Sequence, residues 1–163
     1  MRTAIEADAV AIATVWQRAA LVGYEGLFPP TVPEPTVDAL ALRTREAICR
    51  QGNRGLVLVA CEPSPERKIV GTVSAVVDPH EATRARLQRL YVDPGYWGRG
   101  IGRDLHDRVL AQLQGAGFRV VILWVLENNV RARAAYERWG WRLTPARHTQ
   151  HPGVTEVCYL LML

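Results

Sequence analysis

A single domain of the α/β (α+β) class, a mixed central sheet flanked by about four helices, is the fold the sequence predicts. Three observations carry that prediction. Two amphipathic helical segments come first, a meander of β runs follows, and strand then alternates with helix through the second half. No repeat, low-complexity tract or linker divides residues 1–163, so one domain is expected to span them.

Residues 8 to 22 set Ile12, Val15, Trp16 and Ala19 at helical spacing, with Asp8 available as the cap and Gly23 breaking the pattern. The stretch from Gly23 to Pro30, with Pro33 and Pro35 beyond it, cannot be regular helix. It is a loop that still carries Tyr24, Leu27 and Phe28, and such a loop often lines a pocket. Thr36 starts a second helix with Val37, Leu40, Ala41, Ala47 and Ile48 on one side, stopping at Gly52-Asn53. From Leu56 the period changes. Leu56 to Cys61 and Ile69 to Val77 are β runs joined by a turn from Pro63 to Lys68, an antiparallel hairpin. After Asp78-Pro79-His80, a third run covers about Ala85 to Val92 and ends at Asp93-Pro94-Gly95.

The next helix starts near Gly100. Its apolar face is Ile101, Leu105, Val109, Leu110 and Leu113, Asp104 with Arg108 and Arg103 with Asp107 stand as i,i+4 pairs, and Gly115-Ala116-Gly117 ends it. Val120 to Leu126 is apolar almost throughout, as a strand covered on both faces must be. Strand, helix and strand in that order make a right-handed parallel unit. A last helix runs from about Asn129 to Trp139, closed by Gly140. Two strands, roughly Trp141 to Thr149 and Val154 to Leu161, then flank the turn His151-Pro152-Gly153.

Composition narrows the function classes. At 48% hydrophobic and 22% charged, 163 residues bury a core of ordinary size without disulfides or a structural metal, and intrinsic disorder is excluded. No apolar run approaches the ~20 residues of a membrane span, and the charged N-terminus lacks the apolar stretch of a signal peptide, so a cytoplasmic protein is expected. The three cysteines stand apart and read as small core residues, and the four histidines include no His-x-x-x-His pair, so no metal is expected. The net charge of +4 fits an anionic partner, but Lys and Arg are spread along the chain without the clustering of a nucleic-acid-binding surface.

The chemistry-bearing segment is Trp97-Gly98-Arg99-Gly100-Ile101-Gly102-Arg103, at the joint between the third β run and the helix after it. Alternate glycines strip side chains from a loop where a helix leaves its first amides unpaired and points its positive end, which makes a pyrophosphate cradle. Arg99 and Arg103 add positive charge. The bare motif also fits a structural turn. A dinucleotide fingerprint would need glycine at Arg103 or Leu105, and a Gly-Lys-Ser or Gly-Lys-Thr sequence never occurs, so neither nicotinamide nor ATP is indicated.

These residues resemble the GNAT superfamily of acyl-CoA-dependent N-acetyltransferases. The resemblance rests on the glycine loop after Leu90-Tyr91-Val92 and Asp93-Pro94. A second signature follows downstream: Leu123 to Asn129, Arg131-Ala132, Ala135-Tyr136-Glu137 and Gly140-Trp141. It is best over residues 86 to 141, and the order of the earlier elements also agrees. The resemblance implies a GNAT-like sheet of about six to seven strands, antiparallel in its N-terminal part, whose parallel fourth and fifth strands splay apart to admit acetyl-CoA as co-substrate. It assigns pantetheine bonds to the backbone of Tyr91 and Val92 and the pyrophosphate to the amides of Gly98, Arg99, Gly100, Ile101, Gly102 and Arg103. Asn129 would bond the pantetheine or simply cap the last helix. Trp97, counted with the coenzyme-binding loop, replaces the family's Gln or Arg and, as an aromatic side chain, is expected to stack or pack.

The implied reaction is direct attack of a primary amine of a small molecule or peptide on the thioester. Tyr136 stands at the family's general acid position, and its other reading is an aromatic packed between Ala132 and Trp139. The family's strand glutamate is absent, with Arg86 in its place. Glu25, in the pocket-like loop, is the choice for the base, with Glu81, Glu156 and a water chain as alternatives. Trp139, Trp141, Tyr24, Leu27 and Phe28 read as core and pocket wall. The competing reading is a non-catalytic acyl-CoA-binding sensor module. Dimerisation is common in the family, and the last strands are where a homodimer would form here.

Overall fold

The computed structural model describes residues 1–51, 55–151 and 153–163. Its strands are β1 (Arg2–Thr3), β2 (Gly55–Cys61), β3 (Ile69–Asp78), β4 (Glu81–Val92), β5 (Val120–Leu126), β6 (Arg142–His151) and β7 (Val154–Met162). The helices are α1 (Ala9–Gly23), α2 (Val37–Cys49), α3 (Ile101–Gly115) and α4 (Val130–Arg138). The strands form one seven-stranded sheet in the order β1-β2-β3-β4-β5-β7-β6. All neighbours are antiparallel except β4 and β5, which the α3 crossover makes parallel. That is the mixed sheet the sequence predicts.

Several local expectations are corrected. β1, only two residues long, carries no alternation that could announce it, yet it pairs Arg2 with Val59. β4 begins at Glu81 rather than Ala85, because the turn at Asp78-Pro79-His80 is tight enough to pair Asp78 with Glu81. Asp8 does not cap α1 with its side chain; its carboxylate takes two bonds from Arg2, 2.6 and 2.8 Å, and one from the Ile5 amide. Those contacts tie β1 to the 3₁₀ turn Glu6–Asp8 that precedes α1. Thr36 does cap α2, accepting from the Ala39 amide. Arg103 pairs with Asp107 at 2.6 Å, while among the described residues Asp104 and Arg108 form no ion pair with each other. Only Cys158 is buried; Cys49 is exposed and Cys61 intermediate. The expected helix stop at Gly52-Asn53 and Pro152 of the last turn lie outside the described residues.

The two faces of the sheet have separate cores. On one face Leu105, Val109 and Leu113 of α3 meet Val73, Leu87, Leu123 and Tyr159. On the other, Ile12 and Val15 of α1 and Ile48 of α2 meet Val57, Val59 and Ile69. Gly71 of β3 lets α3 approach closely, since a Cβ there would lie 3.0 Å from Leu105 Cδ1 and 3.2 Å from Ile101 Cγ2. This contact sets the position of the first turn of α3. Gly71→Val is therefore expected to lower stability by about 1–3 kcal/mol through overpacking. A urea unfolding curve checks it, and an unchanged midpoint would show that α3 is not held at this point.

Candidate active site

The parallel ladder between β4 and β5 is short. It runs from Arg84↔Val120 to Leu87↔Leu123 and stops. Beyond it β4 stays with β3 as far as Val92, and β5 stays with β7 as far as Leu126, opposite Glu156. A bulge begins the separation: Ala75 faces Leu87 and Ser74 faces Arg89, leaving Gln88 as the extra residue. The two strands thus part inside the molecule and turn their facing edges toward a cavity of about 540 Å³. Tyr91 and Val92 line it from β4, and Trp124 and Leu126 line it from β5.

At the end of the gap lies the glycine loop. Gly98 and Gly100 have φ of +75° and +81°, a conformation that side chains disfavour, and a Cβ at either would meet nothing within 4 Å. The first helical bond of α3 runs from the Asp104 amide to the Gly100 carbonyl, so the amides of Ile101, Gly102 and Arg103 precede it and point out of the helix end. Upstream, the 3₁₀ turn Pro94–Tyr96 is fixed by buried Asp93, whose carboxylate accepts the Gly95 amide at 3.0 Å and pairs with Arg18 at 3.0 Å.

Trp97 does more than stack or pack. Its indole N–H donates to the Val92 carbonyl at 2.6 Å, and the Arg131 guanidinium lies 3.6 Å over its ring. Val92's carbonyl therefore keeps one lone pair for another donor. Arg131, on the first turn of α4, was not legible as a site residue, yet it lines the cavity beside the cradle. Arg103 lines it too, held by Asp107 and by Trp139. Arg99 does not line it, since its guanidinium bonds the Gly95 carbonyl and lies over Tyr96.

Asn129 caps α4, its side-chain oxygen accepting the Ala132 amide at 3.1 Å, and it also borders the cavity. Tyr136 lines the cavity, edge-on to Trp139 and Trp141 at 5.8 and 5.9 Å, so both readings of that residue describe the same place. Burial raises its pKa, with the Tyr24 phenol adding to the shift, so the hydroxyl keeps its proton. Tyr24, at the end of α1, shares a 3.0 Å hydrogen bond with the Tyr91 hydroxyl, and Tyr91 stacks on Trp16. Among the three carboxylates named as bases, Glu25 is exposed and outside the cavity lining, Glu81 pairs with Arg84, and Glu156 lines the cavity.

Behind Tyr136 is a group that sequence reasoning missed. His106 is 1% exposed, its Nε2 accepts the Trp141 indole N–H at 2.8 Å, and its Nδ1 lies 2.7 Å from Asp107. Because Nε2 accepts, Nδ1 carries the proton and donates. The ring also packs on Trp139 at 4.6 Å, so one neutral histidine holds both tryptophans of the Tyr136 wall. A histidine alone on an otherwise ordinary helix gives no such signal in sequence.

Fold and site together set two parted strand edges beside a helix N-terminus whose first amides are unpaired. The profile of the acetyltransferase (GNAT) family matches residues 20–141, and the chain belongs to that family. Mycothiol acetyltransferase from Beutenbergia cavernae is 46% identical over 72 residues, 44% of this chain and 24% of that protein. An uncharacterized N-acetyltransferase of Methanocaldococcus jannaschii is 37% identical over 57 residues, 35% of this chain and 25% of that protein. The chain thus spans about a quarter of the length of these relatives. The PaiA N-acetyltransferase from Thermoplasma acidophilum, solved with coenzyme A, superposes with a TM-score of 0.76 at 18% identity, covering 96% of this chain and 95% of that one. A GCN5-related N-acetyltransferase from Kribbella flavida gives 0.75 at 22% identity, covering 99% and 96%. At these identities the likeness is one of fold.

Burial lowers the pKa of His106 in the folded protein, against the Asp107 hydrogen bond that raises it. Unfolded, the histidine titrates near 6.5, so its stabilising neutral form is fully present above that pH and is lost as pH falls below it. Thermal unfolding between pH 7.5 and 5 should therefore show the melting temperature falling in wild type and falling less in His106→Gln. Parallel curves would remove His106 as the cause.

Proposed function

We propose that this chain is an acetyl-CoA-dependent N-acetyltransferase that acts by direct attack of a primary amine. The observation that carries the reading is the parting of β4 and β5 beside an unpaired helix N-terminus. An extended chain of amides fits the two strand edges, and a pyrophosphate fits the cradle. The residues present suit that ligand. No side chain fills the loop at Gly98 or Gly100, and Arg103 and Arg131 bring positive charge to the cavity there. Membership of the acetyltransferase family and the coenzyme A complex of the Thermoplasma protein support the same ligand.

In this reading the amides of Gly98 to Arg103 hold the pyrophosphate, while the Tyr91 and Val92 backbone and the β5 edge align the pantetheine. Bound there, acetyl-CoA supplies a thioester carbon open to attack. Tyr136 holds its proton on the hydroxyl until sulfur leaves as an anion, and then gives it up; the burial that disfavours phenolate disfavours thiolate as well. Arg131 on Trp97 takes the place of the cation the loop lacks at position 97, reaching the cradle from α4.

The test is calorimetric binding of acetyl-CoA, coenzyme A and NADH, followed by thiol release with a panel of primary amines. Both coenzyme A forms should bind, NADH should not, and thiol should appear with an amine present. Binding without release from any amine would make the chain an acyl-CoA-binding module instead. Arg131→Ala should weaken coenzyme A binding about tenfold, the loss of one charge-assisted contact. Tyr136→Phe should lower turnover about 100-fold and leave coenzyme A affinity unchanged. Full turnover in that variant would return Tyr136 to a packing role.

A further inference from the structure

The geometry points to Glu156 as the group that takes the proton of the incoming ammonium, in a subsite that Tyr24 and Trp124 wall for aliphatic amines. This inference rests on the N-acetyltransferase reading. Among the described residues lining the cavity, Glu156 is the only carboxylate.

Its placement follows from strand alternation. Val157 and Tyr159 of β7 belong to the core on the α3 face, so Glu156 projects from the opposite face, the one covered by α1. Register sets it opposite Leu126, level with the open end of the gap. Trp124 alternates in the same way with Leu123 and Val125 of the α3-side core and faces the same direction. Tyr24 lines the cavity from the end of α1, and the Glu156 charge helps raise its pKa, behind the larger effect of burial. On the outer side, His148 of β6 sets its Nδ1 3.8 Å from the carboxylate and packs edge-on to Trp124. From α4, Tyr136 lines the same cavity. Glu156 has 18% of its side chain exposed and His148 has 60%, so the carboxylate is enclosed yet connected to solvent through the histidine.

A carboxylate beside two aromatic rings is a site for a cation, and the only cation the reaction brings is the protonated amine. The step balances. The ammonium gives one proton to a Glu156 oxygen, which passes it to solvent past His148. The freed nitrogen lone pair forms the C–N bond, the C–S bond breaks, and sulfur is protonated from Tyr136. Tyr136 regains a proton as the new amide nitrogen loses one.

The experiment compares wild type, Glu156→Gln, Glu156→Asp and Glu25→Gln with putrescine, whose amines have pKa about 10, and trialanine, whose amine has pKa about 8. Thiol release is read at pH 7 and pH 9, and coenzyme A affinity is measured for each variant as the check on folding. Glu156→Gln should lower kcat/KM for putrescine about 100-fold at pH 7, with less loss for trialanine and less at pH 9. Glu156→Asp should recover part of the loss, and coenzyme A affinity should not move. A Glu156→Gln enzyme that keeps more than half of its putrescine activity overturns the inference while leaving the function standing. So does a loss that appears in Glu25→Gln instead. A wild-type protein that binds no coenzyme A or releases no thiol with any amine overturns the function and this inference with it.

Discussion

The site depends on one interruption, the end of the parallel ladder after Leu87 and Leu123. A strand edge inside a protein carries amide and carbonyl groups that water no longer serves, and such groups are costly unless paired. Here β4 and β5 each keep an outer neighbour, β3 and β7, so both strands persist while their inner edges separate. The Gln88 bulge changes the course of β4 without ending its pairing. What results is a slot between two strands that each remain paired on their outer side, with backbone edges facing across it. Close docking of α3 at Gly71 then brings the unpaired helix amides to the mouth of that slot.

How much of this the sequence shows depends on how local each cause is. Glycine loops are readable because backbone conformation and helix start lie within a few residues of one another, and Gly98 and Gly100 adopt the positive φ that their spacing suggests. The strand-helix-strand order is readable for the same reason. Splaying of β4 and β5 is not, since each strand alone looks like an ordinary core strand; only the resemblance implied it. Residues whose roles depend on distant partners were misplaced or missed. Asp8 pairs with Arg2 instead of capping, Arg131 acts on Trp97 across two elements, and His106 is explained only by Trp141, far along the chain. Glu25 lies in a loop whose composition is pocket-like, and Tyr24 beside it does line the cavity, but neighbours on a turn point in different directions. Glu156 sits in a run that alternates like any strand with one covered face.

The aromatic wall behind Tyr136 also shows packing and polarity working together. Trp139, Trp141 and Tyr159 surround the ring, and the one polar atom Trp141 brings into this core is satisfied by His106. Left without that acceptor, the buried indole N–H would cost about 1–3 kcal/mol, and the wall would have reason to shift. A fixed wall matters because a proton donor is useful only within hydrogen-bond reach of the leaving atom. The histidine thus stands outside the cavity lining and still bears on where the phenol stands.

The gap also divides the chemistry between the two faces of the sheet. The cradle, α3 and the Tyr136 wall occupy one face, while Tyr24, Trp124 and Glu156 approach from the other. An anionic ligand laid along the first face meets Arg103 and Arg131; a cationic one arriving from the second meets a carboxylate and aromatic rings. In the proposed reaction the anionic coenzyme and the cationic amine approach from opposite sides and meet only where the strands part. This keeps the proton acceptor and the proton donor apart. Glu156 acts where the amine enters and Tyr136 where the thiol leaves, so neither has to change protonation state to serve the other's step. A fold with the ladder zipped shut would have the same residues and no point at which the two faces could exchange anything.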